Sequence, residues 1–319
     1  MNRKKIILSS ISSVFIFFLL MSSPLTGENN IFSDRYSARA IAIGNVFTPL
    51  ADDSSAVFYN PAGVGQFYEK SSFNSMYADV HNLGLIKSFV LSGAVKFKED
   101  IGMGGGWVYE RVNLEPEIWG QHRLFYSLSY ELIDSIYVGA SPKLLIITTD
   151  FPGYENVLGY GINFGFLVTS ESWDVALLKD NDIGINAGVL VEDVFTRIEW
   201  QKEYDEKVPY HITLGFNLDY DEKINAGIHF KTLKENITTF GLGCELYLLS
   251  MIGYDFGPKL KIEDIVLRAG METENIVSSG TFISGGFGII SEKFSFDYAI
   301  LYQADYFAAT HYFSLNFTK

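Results

Sequence analysis

From residue 69 onward the chain is written in segments of about ten residues in which apolar side chains alternate with polar or small ones, each bounded by Gly, Asp, Asn or Glu-Lys turns. A period of two means strands with one apolar face. Over 208–220, Val208, Tyr210, Ile212, Leu214, Phe216, Leu218 and Tyr220 share one face, and His211, Thr213, Gly215, Asn217 and Asp219 the other. Over 224–231 the division is Ile224, Ala226, Ile228 and Phe230 against Asn225, Gly227, His229 and Lys231. Over 294–303 it is Phe294, Phe296, Tyr298, Ile300 and Tyr302 against Ser295, Asp297, Ala299, Leu301 and Gln303.

Two architectures use such strands: a soluble sandwich with the apolar face inward, and a membrane barrel with that face toward lipid and the polar face toward a lumen. Length decides between them. About ten residues at ~3.3 Å each, tilted near 45°, cover roughly 24 Å, the height of an outer-membrane apolar band, whereas sandwich strands are shorter. Tyr210 and Tyr220 bracket one strand, and Tyr298 and Tyr302 sit toward one end of another, as interfacial girdles require. Aromatics make up 15% of the chain, with 26 Phe and 19 Tyr, heavy for strands that bury a single face.

The sequence therefore predicts an all-β fold, a transmembrane antiparallel β-barrel of about fourteen strands preceded by a plug with one short helix. The strands are expected near 70–79, 86–98, 101–112, 122–133, 135–149, 158–170, 182–194, 207–220, 222–232, 237–249, 263–273, 279–290, 293–303 and 309–318. An even number suits a barrel with both chain ends on the periplasmic side. Short turns at 98–100, 133–135, 219–222 and 291–293 interleave with longer links at 112–121, 149–157 and 194–207. Long periplasmic turns would be needed at 170–182 and 250–262, which leaves the count open by two. Pro142, lacking a ladder donor, predicts a bulge or a membrane boundary in the fifth strand.

Ahead of the barrel, Met1-Asn2-Arg3-Lys4-Lys5 followed by an uncharged run from Ile6 to Met21 reads as a secretory signal, residues 1–27, with cleavage between Ser22 and Glu28. The competing reading is a short spanning anchor. Residues 28–68 form the plug and 69–319 the barrel. Within the plug, Ala38, Ala40, Ala42 and Gly44 are small, and Asp52, Asp53, Ser54 and Ser55 precede Ala56-Val57-Phe58-Tyr59. This predicts a helix capped by Asp53 or Ser54 and ended at Asn60, ahead of Pro61.

The pieces Arg39-Ala40, Gly44-Asn45, Ala51-Asp52-Asp53 and Asn60-Pro61-Ala62-Gly63, in this order behind an export signal, resemble the N-terminal hatch of the FadL-like outer-membrane barrels, including their PorV/PorQ branch. The last strand, through Phe313, Leu315 and Phe317, is similar to the C-terminal aromatic signal of such barrels, although Thr318-Lys319 follow it. The resemblance implies a bacterial outer-membrane protein that passes hydrophobic, fatty-acid-like molecules without an energy source. Movement of residues 37–67 would open the path. It equally implies a PorV/PorQ-like partner or anchor of a protein secretion system. Members of the family open the wall laterally at a kink in the third strand. Here Gly102, Gly104, Gly105 and Gly106 crowd that strand, and they serve either such an opening or clearance for the plug.

Enzymatic chemistry finds no footing. No Gly-x-Ser-x-Gly elbow or His-Glu-x-x-His spacing is present, so neither a catalytic site nor a metal site is expected, and no cofactor. Ser284 reads as a small lumen residue. A net charge of −14 disfavours nucleic acid, and a single Cys, Cys244, excludes an intramolecular disulfide. The expected partners are outer-membrane lipid, a hydrophobic small molecule and secretion-system proteins. Within the lumen, His211, His229 and Glu245 on three successive strands form either a protonatable patch on the substrate path or wet wall residues. Arg39 is expected to pair with Asp52 or Asp53, since a buried charge needs a partner, and Asn60 to hold the plug through backbone hydrogen bonds.

Overall fold

The computed structural model describes residues 34–67, 71–114, 117–150, 156–170, 182–200, 204–233, 237–254, 261–274, 280–303 and 308–319. The expected signal segment, 1–27, and residues 28–33 of the expected plug lie outside these. The strands are β1 Ser71–Val80, β2 Ile86–Lys98, β3 Ile101–Leu114, β4 Glu117–Ile133, β5 Ile136–Thr149, β6 Val157–Thr169, β7 Ile183–Trp200, β8 Tyr204–Lys207, β9 His211–Tyr220, β10 Ile224–Leu233, β11 Ile237–Tyr247, β12 Ile262–Glu274, β13 Gly280–Ser291, β14 Phe294–Gln303 and β15 Ala308–Thr318. Each antiparallel neighbour follows in chain order, and β1 pairs with β15 from Ser72↔Thr318 to Asp79↔His311. Fourteen strands thus close a barrel without an edge. The short β8 pairs only with the far part of β7. Within 194–207, expected as a loop, the end of β7 and β8 therefore pair and prolong the wall. Likewise β3 and β4 run into the expected link 112–121.

Period two dictates which face each residue takes. Phe216 and Leu218 on β9 are 47% and 45% exposed on the outer surface, while Asn217 between them is 4% exposed and faces inward. The same division holds for Ile228 and Phe230 against His229, and for Phe294 and Ile300 against Asp297. An apolar belt outside a polar, largely buried interior is the arrangement a lipid bilayer stabilises. Among the described residues no helix is long and apolar enough to cross a membrane, which says nothing of crossing by strands.

Pro142 does not produce a bulge. Phe125↔Lys143 and Leu128↔Ala140 keep one offset across it, so β4 and β5 skip the missing donor without a register change. Register shifts fall elsewhere, once each in β2–β3, β4–β5 and β12–β13 and twice in β6–β7, between Tyr160 and Phe164. There β7 carries Asp193 and Phe195 at φ 61° and 56°.

Ser71 and Lys319 exchange backbone hydrogen bonds of 2.8 and 2.9 Å, at the end of the barrel that also bears the short turns 99–100, 134–135, 221–223 and 292–293. Short turns mark the periplasmic end. Of the two long turns expected there, 171–181 lies outside the described residues. The other opens with a helix, here Leu248–Ile252, whose start is held by Asp264, which accepts from Leu249 N at 2.9 Å and Ser250 N at 3.1 Å.

Candidate functional site: the plugged lumen

The plug contains more helix than the sequence suggests. Beside α2, Ala56–Tyr59, there are α1, Ala38–Ala42, and a 3-10 helix, Pro61–Gln66. Ser55, not Asp53 or Ser54, is the N-cap of α2 and makes no side-chain cap; Asp53 Oδ1 instead accepts from Ser55 N at 2.8 Å and Ser55 Oγ at 2.5 Å. The helix ends at Asn60, whose extended φ of −167° follows from Pro61. Gly44 and Asn45 both take left-handed φ, 64° and 63°, and reverse the chain after α1.

Two residue types on the wall receive the plug. Glycine lets backbone approach backbone. A Cβ on Gly270 would fall 2.0 Å from Gly44 N, on Gly243 2.1 Å from Ile43 O, on Gly188 2.3 Å from Thr48 O, and on Gly165 2.1 Å from Asn60 Oδ1. Serine supplies the polar partners that buried backbone requires. Ala38 N donates to Ser314 Oγ at 2.8 Å, Gly44 N to Ser284 Oγ at 3.2 Å and Ser54 N to Ser72 Oγ at 3.1 Å, while Ser129 Oγ donates to Ala62 O at 2.8 Å. Ser284 is thus a plug-holding wall residue. Asn60 is fully buried; its amide donates to Thr48 O and Phe166 O at 2.9 and 3.1 Å, and its Oδ1 accepts from Ala62 N at 3.1 Å. Pro61 and Ala62 rest over Gly139, and Gly63 packs against Ala51.

The four β3 glycines divide by face. Gly102, Gly104 and Gly106 look inward, where an added Cβ would meet Val64 O at 2.2 Å, Val57 at 2.7 Å and Phe58 at 2.5 Å. Gly105 has nothing nearer than 3.7 Å. From Gly102 to Gly106 the register holds on both the β2 and β4 sides, and the β2 ladder shifts at the next step, between Lys96 and Lys98.

Charges join plug and wall in two groups. In the first, Arg39 forks onto Asp52 at 2.7 and 3.1 Å and onto Glu245 at 2.9 Å twice, with Asp53 at 3.7 Å. Arg268 bridges Glu245 and Asp297, each at 2.7 Å. Burial opposes the Arg39 charge, but Asp52 and Glu245 outweigh it and hold its pKa above the ordinary range. In the second group, nearer the extracellular mouth, Lys231 links Asp34 at 2.6 Å to Glu192 at 3.0 Å, Arg35 reaches Glu272 at 3.4 Å, and Arg123 joins Glu110 at 2.9 Å and the Tyr36 hydroxyl at 3.1 Å. Burial works against ionisation of Asp34, yet Lys231 overrides it and holds the carboxyl well below its usual value.

His211, His229 and Glu245 are all buried on the inner wall, but they fall in different surroundings. Glu245 belongs to the Arg39 group, whereas His229 lies 3.7 Å from Glu272 and His211 faces Glu192 across the β7–β9 ladder. Arg123, Glu110, Glu192, Glu272 and Arg268 escaped the sequence reading; inward parity on the same alternating strands was the available signal. Among the described residues no cluster suits a metal ion.

No family model matches the chain, and no curated protein matches it. Solved structures do. The monoaromatic hydrocarbon channel CymD aligns at TM-score 0.57 with 13% identity, covering 89% of this chain and 98% of its own. The barrel has the fold of these hydrocarbon channels. The Ralstonia pickettii toluene transporter TbuX aligns at 0.55 with 12% identity, over 89% of this chain and 97% of its own, and a Pseudomonas aeruginosa FadL homologue at 0.53 with 12% identity, over 86% and 95%. These structural neighbours are transporters and channels, and the FadL-like fold extends over almost their whole length.

Proposed function

We propose that this protein is a bacterial outer-membrane barrel that takes up hydrophobic small molecules passively, with residues 37–67 as its gate. The observation that carries the reading is the likeness, over 89% of the chain, to a hydrocarbon channel, joined to a lumen filled by a built-in segment. An apolar ligand arriving from outside would meet Ile147, Val157 and Ile198, with Trp119, Leu145 and Val208 packed beside them. Below that group the ion pairs of Arg123, Lys231 and Lys143 bar the way, so passage requires plug and charged layer to shift together or the ligand to leave through the wall. For an exit at Gly102–Gly106, Gly105→Val is the informative variant, because it adds bulk on the outer face of that strand, where an exit would open, without touching the plug; unchanged uptake would remove that exit. Mass spectrometry of the detergent-extracted protein tests the main reading. A retained apolar ligand, with toluene uptake into proteoliposomes above the empty control, is expected; absence of both overturns it.

A second reading, a PorV/PorQ-like anchor of a secretion apparatus, draws on a different observation. The plug backbone lies against the wall with no room for a Cβ at many glycines, an interior suited to a fixed support. Capture of secretion components from a cross-linked membrane, with no ligand retained, would favour it.

A further inference from the structure

On the outer wall of β1–β4, toward the extracellular end, aromatic rings tile the surface. Tyr109 stacks on His122 at 4.6 Å and beside Trp107 at 6.0 Å, and Phe89 bridges from Tyr109 at 6.4 Å to Tyr77 at 4.9 Å. Trp107 Nε1 donates to His122 Nδ1 at 3.3 Å, which ties the two rings together. One ladder step nearer the mouth, Lys87 and Arg111 are register partners on the same outer face. Among the described residues neither forms an ion pair. Asp79, the register partner of Lys87, accepts from Gly84 N at 2.9 Å and supplies one negative charge beside the two cations. Arg111 is also oriented. Its Nε donates to Asn113 Oδ1 at 2.8 Å, and Asn113 is tied through Nδ2 to Gly84 O at 3.2 Å and through its backbone N to Leu85 O at 2.8 Å.

We propose that this corner binds a phosphorylated glycolipid of the outer leaflet. The phosphate would sit between Lys87 and the free end of the Arg111 guanidinium, and the acyl chains would lie down the aromatic tiles. The chemistry is complementary on both counts. Arginine and lysine donate charge-assisted hydrogen bonds to phosphate oxygens, and aromatic side chains at the interface match the passage from headgroup to hydrocarbon. In a chain of net charge −14, two cations that share a single carboxylate at this height on the lipid-facing surface leave positive charge for an external anion. The proposal rests on the outer-membrane reading but is independent of what the lumen carries.

Native mass spectrometry of the full-length protein, extracted in detergent and titrated with bis-phosphorylated lipid A, tests it. Dephosphorylated lipid A and phosphatidylethanolamine serve as competitors. The wild type should bind the phosphorylated lipid about tenfold more tightly than either competitor, and the double variant Lys87→Ala, Arg111→Ala should lose that preference. Arg197→Ala with Lys207→Ala, a basic register pair on the β7–β8 hairpin, should keep it. Equal binding of all three lipids, or a preference surviving in the double variant with its heat-modifiable barrel intact, overturns the proposal. Protein that stays dispersed without detergent would overturn the membrane reading instead, so the two failures are distinguishable.

Discussion

Arg39 of α1 and Glu245 of β11 share two hydrogen bonds of 2.9 Å, Nε to Oε1 and Nη2 to Oε2, and Arg268 of β12 shares the same Oε1 at 2.7 Å. One carboxylate, 1% exposed, therefore receives a guanidinium from the plug and another from the wall.

Arg39→Ala leaves Asp53 and half of Glu245 without a cation in a buried setting. Loss of one partner of such a pair costs about 3 kcal/mol or more. Denaturant titration of the reconstituted barrel should show that loss, and residues 37–67 should become open to protease. Wild-type stability in the variant would mean that the pair contributes nothing net.

Gly243→Ala and Gly165→Ala place a methyl 2.1 Å from plug atoms, whereas Gly93→Ala and Gly105→Ala meet nothing closer than 3.8 and 3.7 Å. The first two should destabilise by about 1–3 kcal/mol through overpacking; the second two should be neutral. Similar unfolding midpoints for all four would contradict the close docking of the plug.

Burial lifts the Asp53 carboxyl from its ordinary 3.8 to about 6, against the pull of Arg39 and with help from Asp52. Between those values the folded chain holds a proton that the unfolded chain has released. Stability from this group therefore rises as pH falls through the window and is least above about pH 6. Unfolding measured from pH 4 to 7 should show that slope, and Asp53→Asn should flatten it; an identical slope in the variant would assign the effect to another group.

Phe216→Arg puts a cation on the outer face of β9. Near the middle of a bilayer this costs about 2–4 kcal/mol, readable as a shift in the folding equilibrium into lipid vesicles. A value near zero would place this face away from hydrocarbon.

The strands were legible because a single rule, two residues per repeat, sets both conformation and facing. β2 occupies the expected 86–98, and most other strands begin and end within a few residues of expectation. The β7–β8 hairpin was not, since Arg197, Glu199, Asp205 and Glu206 read as loop where these strands run past their expected ends. Pro142 read as a bulge or a membrane boundary because a missing donor is visible in sequence, whereas the ability of β4 and β5 to skip one step without shifting is not. Within the lumen, Arg39 with its aspartates was readable from a nearby stretch of chain. Arg123 with Tyr36, or Lys231 with Asp34, joins residues 87 and 197 positions apart, and only ring closure brings those together. For the β3 glycines the sequence left two readings open, an opening in the wall or clearance for the plug; Gly102, Gly104 and Gly106 record the thickness of the plug beside them, a distance that sequence alone does not carry.

The plug lies ahead of every strand in the chain, and the seam that closes the ring, with Ser71 against Lys319, joins the first strand to the final one. Walls hollowed to the outline of residues 37–67 are difficult to thread afterwards. The staves would then have to gather round that segment as round a mandrel, and a chain deprived of it would have nothing to set the bore when the seam comes together.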